Sequence, residues 1–468
     1  KTFGKADPAV ILFSTCYALS GYLAAYNWNV MWLDCLILLP LILLGVERLA
    51  REGRWVMYTV TLGLCILTNY YISIMICIFL VLYFGMLLIT EYHIMTEGQN
   101  QKVKTVFGRI GRFAFASLLA GGLAAALLIP EVCAILRTDF GNSDFPGTLN
   151  SYFSVFDMLA RHCLCVTTER GLEHWPNIYC GVAVFLLVPM YALNEKISVR
   201  KRFCNLALAG FLLLSFGTNV LDFLWHGLNY PDSLPARQSF LYIFLILVMC
   251  YDAFRNVEGT SPRQIIYGYL AAVVFLLACE KFVESEDFDT GIEVLTLVFV
   301  TIYGVILYLY RTRKSELTRQ VLGILVLACV VAELSINTFN TSLGTTGRSA
   351  YLEDQEDYKA LYALAQEQEG DDFFRVEKFV RKTKNDGTLT GYPTASVFSS
   401  TMNSRVMDLY KKLGMRHSKV YYGFDGATAF VSALLNVDYM FGESDKYENG
   451  LYETVNNSGD VYLYHCKY

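Results

Sequence analysis

The 468 residues include 54% hydrophobic and only 17% charged residues, with a mean hydropathy of +0.37, whereas soluble domains average about a quarter charged residues. A chain of this length would also have to divide into several domains with polar surfaces. Composition therefore excludes an ordinary cytosolic enzyme, a disordered chain and a disulfide-stapled secreted module, and the net charge of -5 leaves no basic footprint for nucleic acid.

Eleven apolar segments are candidates for membrane crossings, because a bilayer core about 30 Å thick requires roughly 17–25 apolar residues in a spanning helix. In chain order they are residues 9–26, 32–46, 55–70, 72–90, 113–133, 179–194, 203–217, 238–254, 264–280, 292–310 and 320–337. The predicted fold class is an all-α polytopic membrane protein with about eleven transmembrane helices. Since the chain begins at Lys1 rather than Met and has no signal-peptide pattern, we expect the natural N-terminus to lie upstream.

The charge of the connecting segments predicts the orientation. If the first segment runs outward, the inward connections carry 17 Lys and Arg in 56 residues, and the outward connections carry five in 82. Cytoplasmic connections of membrane proteins are enriched in Lys and Arg. The connections 137–178 and 218–237 are therefore predicted to lie on the outer face, and the odd number of crossings places the polar tail outside as well.

The tail is predicted to be a separate domain. The boundaries are 1–338 for the transmembrane helical domain and 339–468 for a small α+β extracytoplasmic domain. An acidic helical pattern covers 352–369, and short strand candidates and turn signals follow it. The strand candidates are 373–377, 420–422 and 437–440, and the turn signals are 385–387 and 456–459.

Polar side chains gather at the predicted outer ends of the crossings. A charged side chain at membrane depth costs about 2.5–3.5 kcal/mol on insertion scales, so its presence requires a reason. The candidate site residues are Asp34, Glu131, Arg237, Asn69, Tyr70, Asn177, Tyr179 and Trp32. Structural roles stay open for several of them, since Trp32 and Tyr70 fit an aromatic belt at the membrane interface and Asn69 fits a tight outer turn. Together the residues predict an outward cavity with aromatic walls, carboxylates and one arginine.

Arg237 stands out because it opens an apolar helix on the side where positive charge is disfavoured. A guanidinium there can bind a phosphate through paired hydrogen bonds. Asp222 precedes His226 by four residues, a spacing that allows an unspecific carboxylate–imidazole pair. Cys163 and Cys165 form a close pair, but no second pair completes a zinc site. No metal site is predicted from the residues.

Short motifs along the chain resemble the YfhO family of bacterial membrane proteins. They are YALSGY at 17–22, WNVMWLD at 28–34, LLPL at 38–41, NYYI at 69–72, PNIYCG at 176–181, LPARQSF at 234–240, FRVEK at 374–378, GY at 391–392 and FSST at 398–401. The resemblance covers nearly the whole chain. It implies a GT-C-type glycosyltransferase in the bacterial cell membrane, which takes a sugar from a polyprenyl-phosphate carrier at the outer face.

The resemblance also implies the partners and one departure. The acceptor would be a lipoteichoic-acid-type or other cell-wall glycopolymer, and membrane proteins would make and flip the lipid-linked donor. Family members carry further N-terminal helices, with an acid taken to be catalytic in the first outer loop. This chain starts after that region, so the matching acid has no position here.

The resulting mechanistic hypothesis assigns Arg237 to the donor phosphate, with a divalent cation as the alternative source of positive charge. Asp34 and Glu131 are assigned as secondary acids or metal ligands. Four of the remaining candidates would orient the sugar, namely Asn69, Tyr70, Asn177 and Tyr179, and Trp32 is assigned to substrate binding. The tail is expected to help bind or gate the acceptor.

Two other classes of function stay open, namely a transporter or lipid flippase, and a non-catalytic membrane scaffold. The inner halves of the predicted helices are almost purely apolar, which disfavours a polar pathway across the membrane. No Walker A loop, dinucleotide fingerprint or HExxH motif occurs, so direct ATP-driven chemistry is disfavoured.

Overall fold

The computed structural model describes residues 8–98, 101–138, 144–231, 233–313, 315–344 and 347–468. The chain divides into two compact units, which we call the helical unit and the mixed unit. The helical unit comprises Lys1–Leu128 and Ser143–Gly344, and the mixed unit comprises Ile129–Asn142 and Thr345–Tyr468.

The helical unit holds a helix within each of the apolar segments predicted from the sequence. Its helices are Pro8–Ala18, Gly21–Tyr26, Val30–Glu52, Val56–Thr68, Tyr70–Thr90, Tyr92–Thr96, Lys102–Leu123, Val155–Ala160, Val184–Leu193, Val199–Gly217, Asn219–Trp225, Ser239–Arg255, Pro262–Phe282, Thr290–Thr312 and Glu316–Ser342, with a 3-10 turn at Val257–Gly259. The helix Ala125–Ile135 crosses the boundary between the units.

Seven helical stretches in the described part of the chain are long and apolar enough to cross a membrane. They are Ala9–Tyr26, Val30–Glu52, Tyr70–Thr90, Lys102–Leu123, Pro262–Phe282, Thr290–Thr312 and Glu316–Ser342. Other apolar helices are shorter, such as Val56–Thr68 and Val184–Leu193. The chain is therefore a helical membrane protein with several spanning helices, and the number of crossings is smaller by this criterion than the eleven predicted.

Three predicted segments differ from the observed helices, and the first of them, 9–26, is divided into Pro8–Ala18 and Gly21–Tyr26. The segment 113–133 is not one helix, because the first helix ends before Ala124. Two glycines precede this point, and glycine is a poor helix former. The segment 179–194 becomes helical only at Val184. Before it the backbone is irregular: the Tyr179 carbonyl accepts the Gly21 N–H at 2.8 Å, and Gly181 has a φ of 98°.

The helices of the helical unit pack around a large apolar core, in which Leu39, Phe79 and Phe240 are fully buried, and a smaller apolar cluster lies around Leu276. Close approach of Val30–Glu52 to Val56–Thr68 depends on Gly45. A Cβ at this glycine would lie 2.7 Å from the Tyr58 backbone. Small residues permit such contacts in membrane helices, where van der Waals packing replaces the hydrophobic effect between helices.

The mixed unit contains two small sheets and several short helices. The strands are β1 (Arg375–Lys378), β2 (Val397–Phe398), β3 (His417–Ser418), β4 (Tyr421–Tyr422), β5 (Val437–Gly442), β6 (Tyr452–Ser458) and β7 (Val461–Cys466). The larger sheet has the order β1-β5-β7-β6, with β1 parallel to β5 and the other pairs antiparallel; the smaller has the order β2-β4-β3. The helices are Arg348–Tyr351, Gln355–Glu369, Asp386–Thr390, Ser404–Lys412 and Ala429–Leu434, with a 3-10 turn at Asp445–Tyr447.

The three strand candidates correspond to β1, β4 and β5, and the acidic pattern forms the helix Gln355–Glu369. The turn predicted at 385–387 is instead the start of a short helix. The Asp386 carboxylate accepts the backbone N–H groups of Lys382 and Thr383 at 2.9 and 2.7 Å, so the chain bends just before this point. The hairpin of β6 and β7 was not predicted, because its asparagines obscure the strand pattern.

Candidate functional site

Arg237 is fixed at the entrance to the helix Ser239–Arg255 by a strained loop. Leu234 and Ala236 have φ values of 59° and 49°, which side-chain-bearing residues rarely adopt. This bend lets the guanidinium fold back onto its own loop, where Nε donates to the Leu234 carbonyl at 3.0 Å and Nη2 donates to the Ser233 carbonyl at 2.8 Å. Local backbone strain of this kind is characteristic of functional sites.

Two aromatic rings hold the outer part of the Arg237 side chain. The guanidinium carbon lies 5.6 Å from the Trp32 ring centroid and 5.2 Å from that of Tyr71. Nη1 also donates a hydrogen bond of 2.6 Å to the Tyr71 hydroxyl. Cation–π contacts at this distance are favourable and do not neutralise the charge.

Arg237 has no acidic partner among the residues that the structure describes. Its described hydrogen bonds use three of the five guanidinium N–H groups, and their acceptors are two carbonyls and a phenol. The half-buried cation therefore retains its charge and two donors for a ligand. An anion with paired oxygens, such as a phosphate, matches this arrangement.

A carboxylate–imidazole pair lies near this arginine. His226 Nδ1 is 3.0 Å from Asp222 Oδ1, and the Tyr152 hydroxyl donates to Asp222 Oδ2 at 3.1 Å. The Asp222 carboxylate is also close enough to Tyr71 to interact with it electrostatically. His226 Nε2 is buried without a hydrogen-bond partner in the described residues. The sequence spacing allowed the Asp222–His226 pair, but only the structure shows that Asp222 lies near Tyr71.

Asn177 reaches the arginine loop through Tyr26. Its side-chain amide nitrogen donates to the Tyr26 hydroxyl at 3.3 Å, and that hydroxyl donates to the Pro235 carbonyl at 2.6 Å. The same amide also accepts the Glu169 N–H at 2.9 Å and donates to the Glu169 carbonyl at 2.7 Å. Asn177 is 3% exposed, and its amide groups are all hydrogen-bonded within the chain, where they link the connection 137–178 to the Arg237 loop.

Tyr179 belongs to a separate buried cluster. Its hydroxyl donates to Glu333 at 2.8 Å, and the same carboxylate accepts the Val182 N–H at 2.6 Å and the Tyr303 hydroxyl at 2.7 Å. Glu333 is 1% exposed. No local sequence pattern indicates this cluster, because Tyr179 and Val182 lie more than 150 residues from Glu333 along the chain.

The other candidates do not join Arg237. Asn69 caps the helix Tyr70–Thr90 by accepting the Ile72 N–H at 2.9 Å. Tyr70 is half-buried beside this cap. Asp34 is exposed and forms no hydrogen bond or ion pair with any described residue. It lies two positions after Trp32, and residues at this spacing point to different faces of a helix. Glu131 lies in the mixed unit.

The described residues do not fit a divalent-cation site. They contain no group of three or more His, Cys, Asp or Glu side chains placed to bind a metal ion. The two acids assigned as metal ligands, Asp34 and Glu131, fall in different units. We therefore assign no step to a cation.

His162 predicts a pH dependence of stability. Burial lowers its pKa from 6.5 to about 4, while its Nε2 lies 3.0 Å from the Tyr242 hydroxyl. Between these two values the unfolded chain binds more protons than the folded chain, so stability falls as the pH drops below 6.5. We expect a loss of about 2 kcal/mol between pH 7.5 and pH 5. The free energy of unfolding of the purified protein, measured at both pH values, gives this loss.

His162→Gln should flatten this dependence, and the exposed His417→Gln serves as the control and should leave it unchanged. An equal pH dependence in the His162 variant and the natural chain would contradict the assignment.

The fold and these contacts define a helical membrane protein with buried polar clusters and a small mixed α/β unit. The chain belongs to the YfhO family, since the family model described as "Bacterial membrane protein YfhO" matches residues 1–468. The resemblance found in the sequence motifs is thereby confirmed.

One curated relative is "Uncharacterized protein YfhO" of Bacillus subtilis (strain 168), which is 21% identical over 388 residues. The match covers 81% of this chain and 41% of the relative, so the chain spans about two fifths of that protein's length. No solved structure matches the chain.

Proposed function

We propose that this chain forms part of a membrane glycosyltransferase, which moves a sugar from a polyprenyl-phosphate donor to a cell-wall or lipoteichoic-acid-type acceptor on the outer face. The single observation that carries the proposal is Arg237. It is held between Trp32 and Tyr71 without an acidic partner in the described chain, and it keeps two N–H donors for an anion.

In the proposed reaction, the bond between sugar C1 and the phosphate oxygen breaks and the acceptor hydroxyl oxygen bonds to C1. The hydroxyl proton passes to a carboxylate base. Polyprenyl phosphate leaves with increased negative charge. Arg237 stabilises this charge in a partly desolvated site, where a preorganised cation contributes more than it does in water.

The proposed site requires a defined membrane topology, with eleven crossings and the mixed unit outside the cell. Alkaline phosphatase, which is active only outside, should be active when fused after Gly344. It should be inactive when fused after Arg313, since one crossing separates these positions. Enzyme activity of the two fusions in cells tests the orientation. The reverse pattern, or equal activity at both positions, would exclude an outward-facing site.

Transfer itself is tested with purified full-length protein in vesicles. Labelled polyprenyl-phosphate sugar and a glycopolymer acceptor are supplied on the outer side. Label in the acceptor supports the proposal. Label that crosses the bilayer without transfer identifies a flippase instead. If correctly folded protein shows neither transfer nor crossing, the result favours a scaffold.

A further inference from the structure

The mixed unit contains a polar cavity of about 460 Å³ that is separate from the contacts around Arg237. A loop carrying Arg381, Lys382 and Lys384 forms one side of it. The other side comes from Arg416 and from the residues around β4. Four cations and one acid, Asp425, line the cavity, although the segment 347–468 as a whole is net acidic. The positive charge is therefore concentrated at this place.

Two of the four cations are paired with acids, since Lys382 Nζ lies 3.3 Å from Glu353 Oε2 and Arg381 contacts two carboxylates. Arg381 contacts Asp425 at 2.5 Å and Glu377 at 3.2 Å. Arg416 is 4.0 Å from the same Asp425 oxygen and its side chain is 65% exposed. Lys384 Nζ lies 3.3 Å from the Tyr421 ring centroid and pairs with no acid in the described residues. Positive charge therefore remains in excess at the cavity surface.

The basic loop is held in place before any ligand binds. Asp386 accepts the backbone N–H groups of Lys382 and Thr383, and Asn385 exchanges two hydrogen bonds with the Phe398 backbone at 2.7 and 3.2 Å. Arg381 also donates to the Ser396 hydroxyl at 2.9 Å. A site built on a fixed backbone loses less conformational entropy on binding.

Gly423 lines the cavity, and its lack of a side chain leaves room for the Arg381–Asp425 ion pair. A Cβ at this position would lie 3.1 Å from Asp425 Oδ2 and 3.2 Å from Arg381 Nη2. A larger residue would press on this ion pair and occupy the space above it.

We propose that this cavity binds a phosphodiester group of the acceptor polymer, an inference that rests on the proposed function and names the acceptor's chemistry. Lysine and arginine side chains recognise phosphate oxygens by charge and by hydrogen bonding. The lining contains no aliphatic side chain, whereas surfaces that bind lipid bilayers combine basic residues with an inserted apolar face. A soluble polyanion therefore fits better than a lipid headgroup.

The test measures binding to the full-length protein in detergent by calorimetry, with a synthetic glycerol phosphate oligomer as the probe. The double variant Lys384→Gln/Arg416→Gln should bind at least about tenfold more weakly, since it removes two charged hydrogen-bond donors to the phosphate. Arg405→Gln/Lys411→Gln removes the same charge from exposed positions outside the cavity. This matched control should bind as the natural chain does.

Dihexanoyl phosphatidylglycerol presents the same phosphodiester in a lipid headgroup and should bind more weakly than the oligomer. Absence of oligomer binding, an equal loss in the control variant, or preference for the lipid would each overturn the proposal. Elution volume and unfolding midpoint establish that both variants are folded. Because binding requires no donor and no transfer, this result is independent of the glycosyltransferase assay.

Discussion

Replacing Arg237 with alanine should reduce sugar transfer by the full-length protein about 10²–10³-fold, the loss typical when a preorganised donor to a developing charge is removed. The variant keeps the Trp32 and Tyr71 side chains and removes the guanidinium that contacts both rings. Initial transfer rates with labelled polyprenyl-phosphate sugar measure the effect.

Arg237→Lys should recover part of the rate, because it keeps a positive charge but loses the planar fork that binds paired oxygens. Lys281→Ala removes an exposed cation from a predicted outer connection and serves as the control. Transfer by folded Arg237→Ala protein at the natural rate would refute the assignment to phosphate.

Replacing Glu333 with alanine should lower the free energy of unfolding by about 3 kcal/mol or more. The carboxylate accepts hydrogen bonds from Tyr179, Val182 and Tyr303. Its loss leaves three buried donors unsatisfied, each at a cost of about 1–3 kcal/mol. Thermal unfolding of the purified protein in detergent gives the change, which should appear as a clearly lower midpoint.

Glu316→Ala is the matched control on the same helix, since Glu316 is exposed. Glu333→Gln should give an intermediate loss, because the amide keeps one acceptor oxygen and introduces a donor where only donors are nearby. An unfolding midpoint of Glu333→Ala equal to that of the control would show that the three contacts contribute little to stability.

The membrane class, the helical segments and the separate tail follow from local properties of the sequence, namely hydropathy, length and turn residues. Breaks inside segments were harder to predict. The interruption at Ala124 depends on two glycines that a hydropathy average does not detect. The irregular stretch before Val184 exists because Tyr179 bonds to Gly21, a contact between distant segments.

Arg237 was identifiable in the sequence because a cation on the outer side of an apolar helix is rare. Its aromatic neighbour Tyr71 was not among the candidates, since only the fold brings the two side chains together. Asp34 was a candidate acid beside Trp32, but it is exposed and lies on a different face of the same helix. Glu333 and Tyr179 are separated by 154 residues, and no local pattern indicates such a pair.

The order of strands in the larger sheet has a consequence for biogenesis. The strand β7 lies between β5 and β6, although it is the last of the three in the chain. The sheet therefore cannot close around its core until the residues through Cys466 have left the ribosome and, in the proposed topology, the export channel. Until then β5 presents an unpaired edge. A stalled or shortened chain would expose this edge to chaperones and proteases.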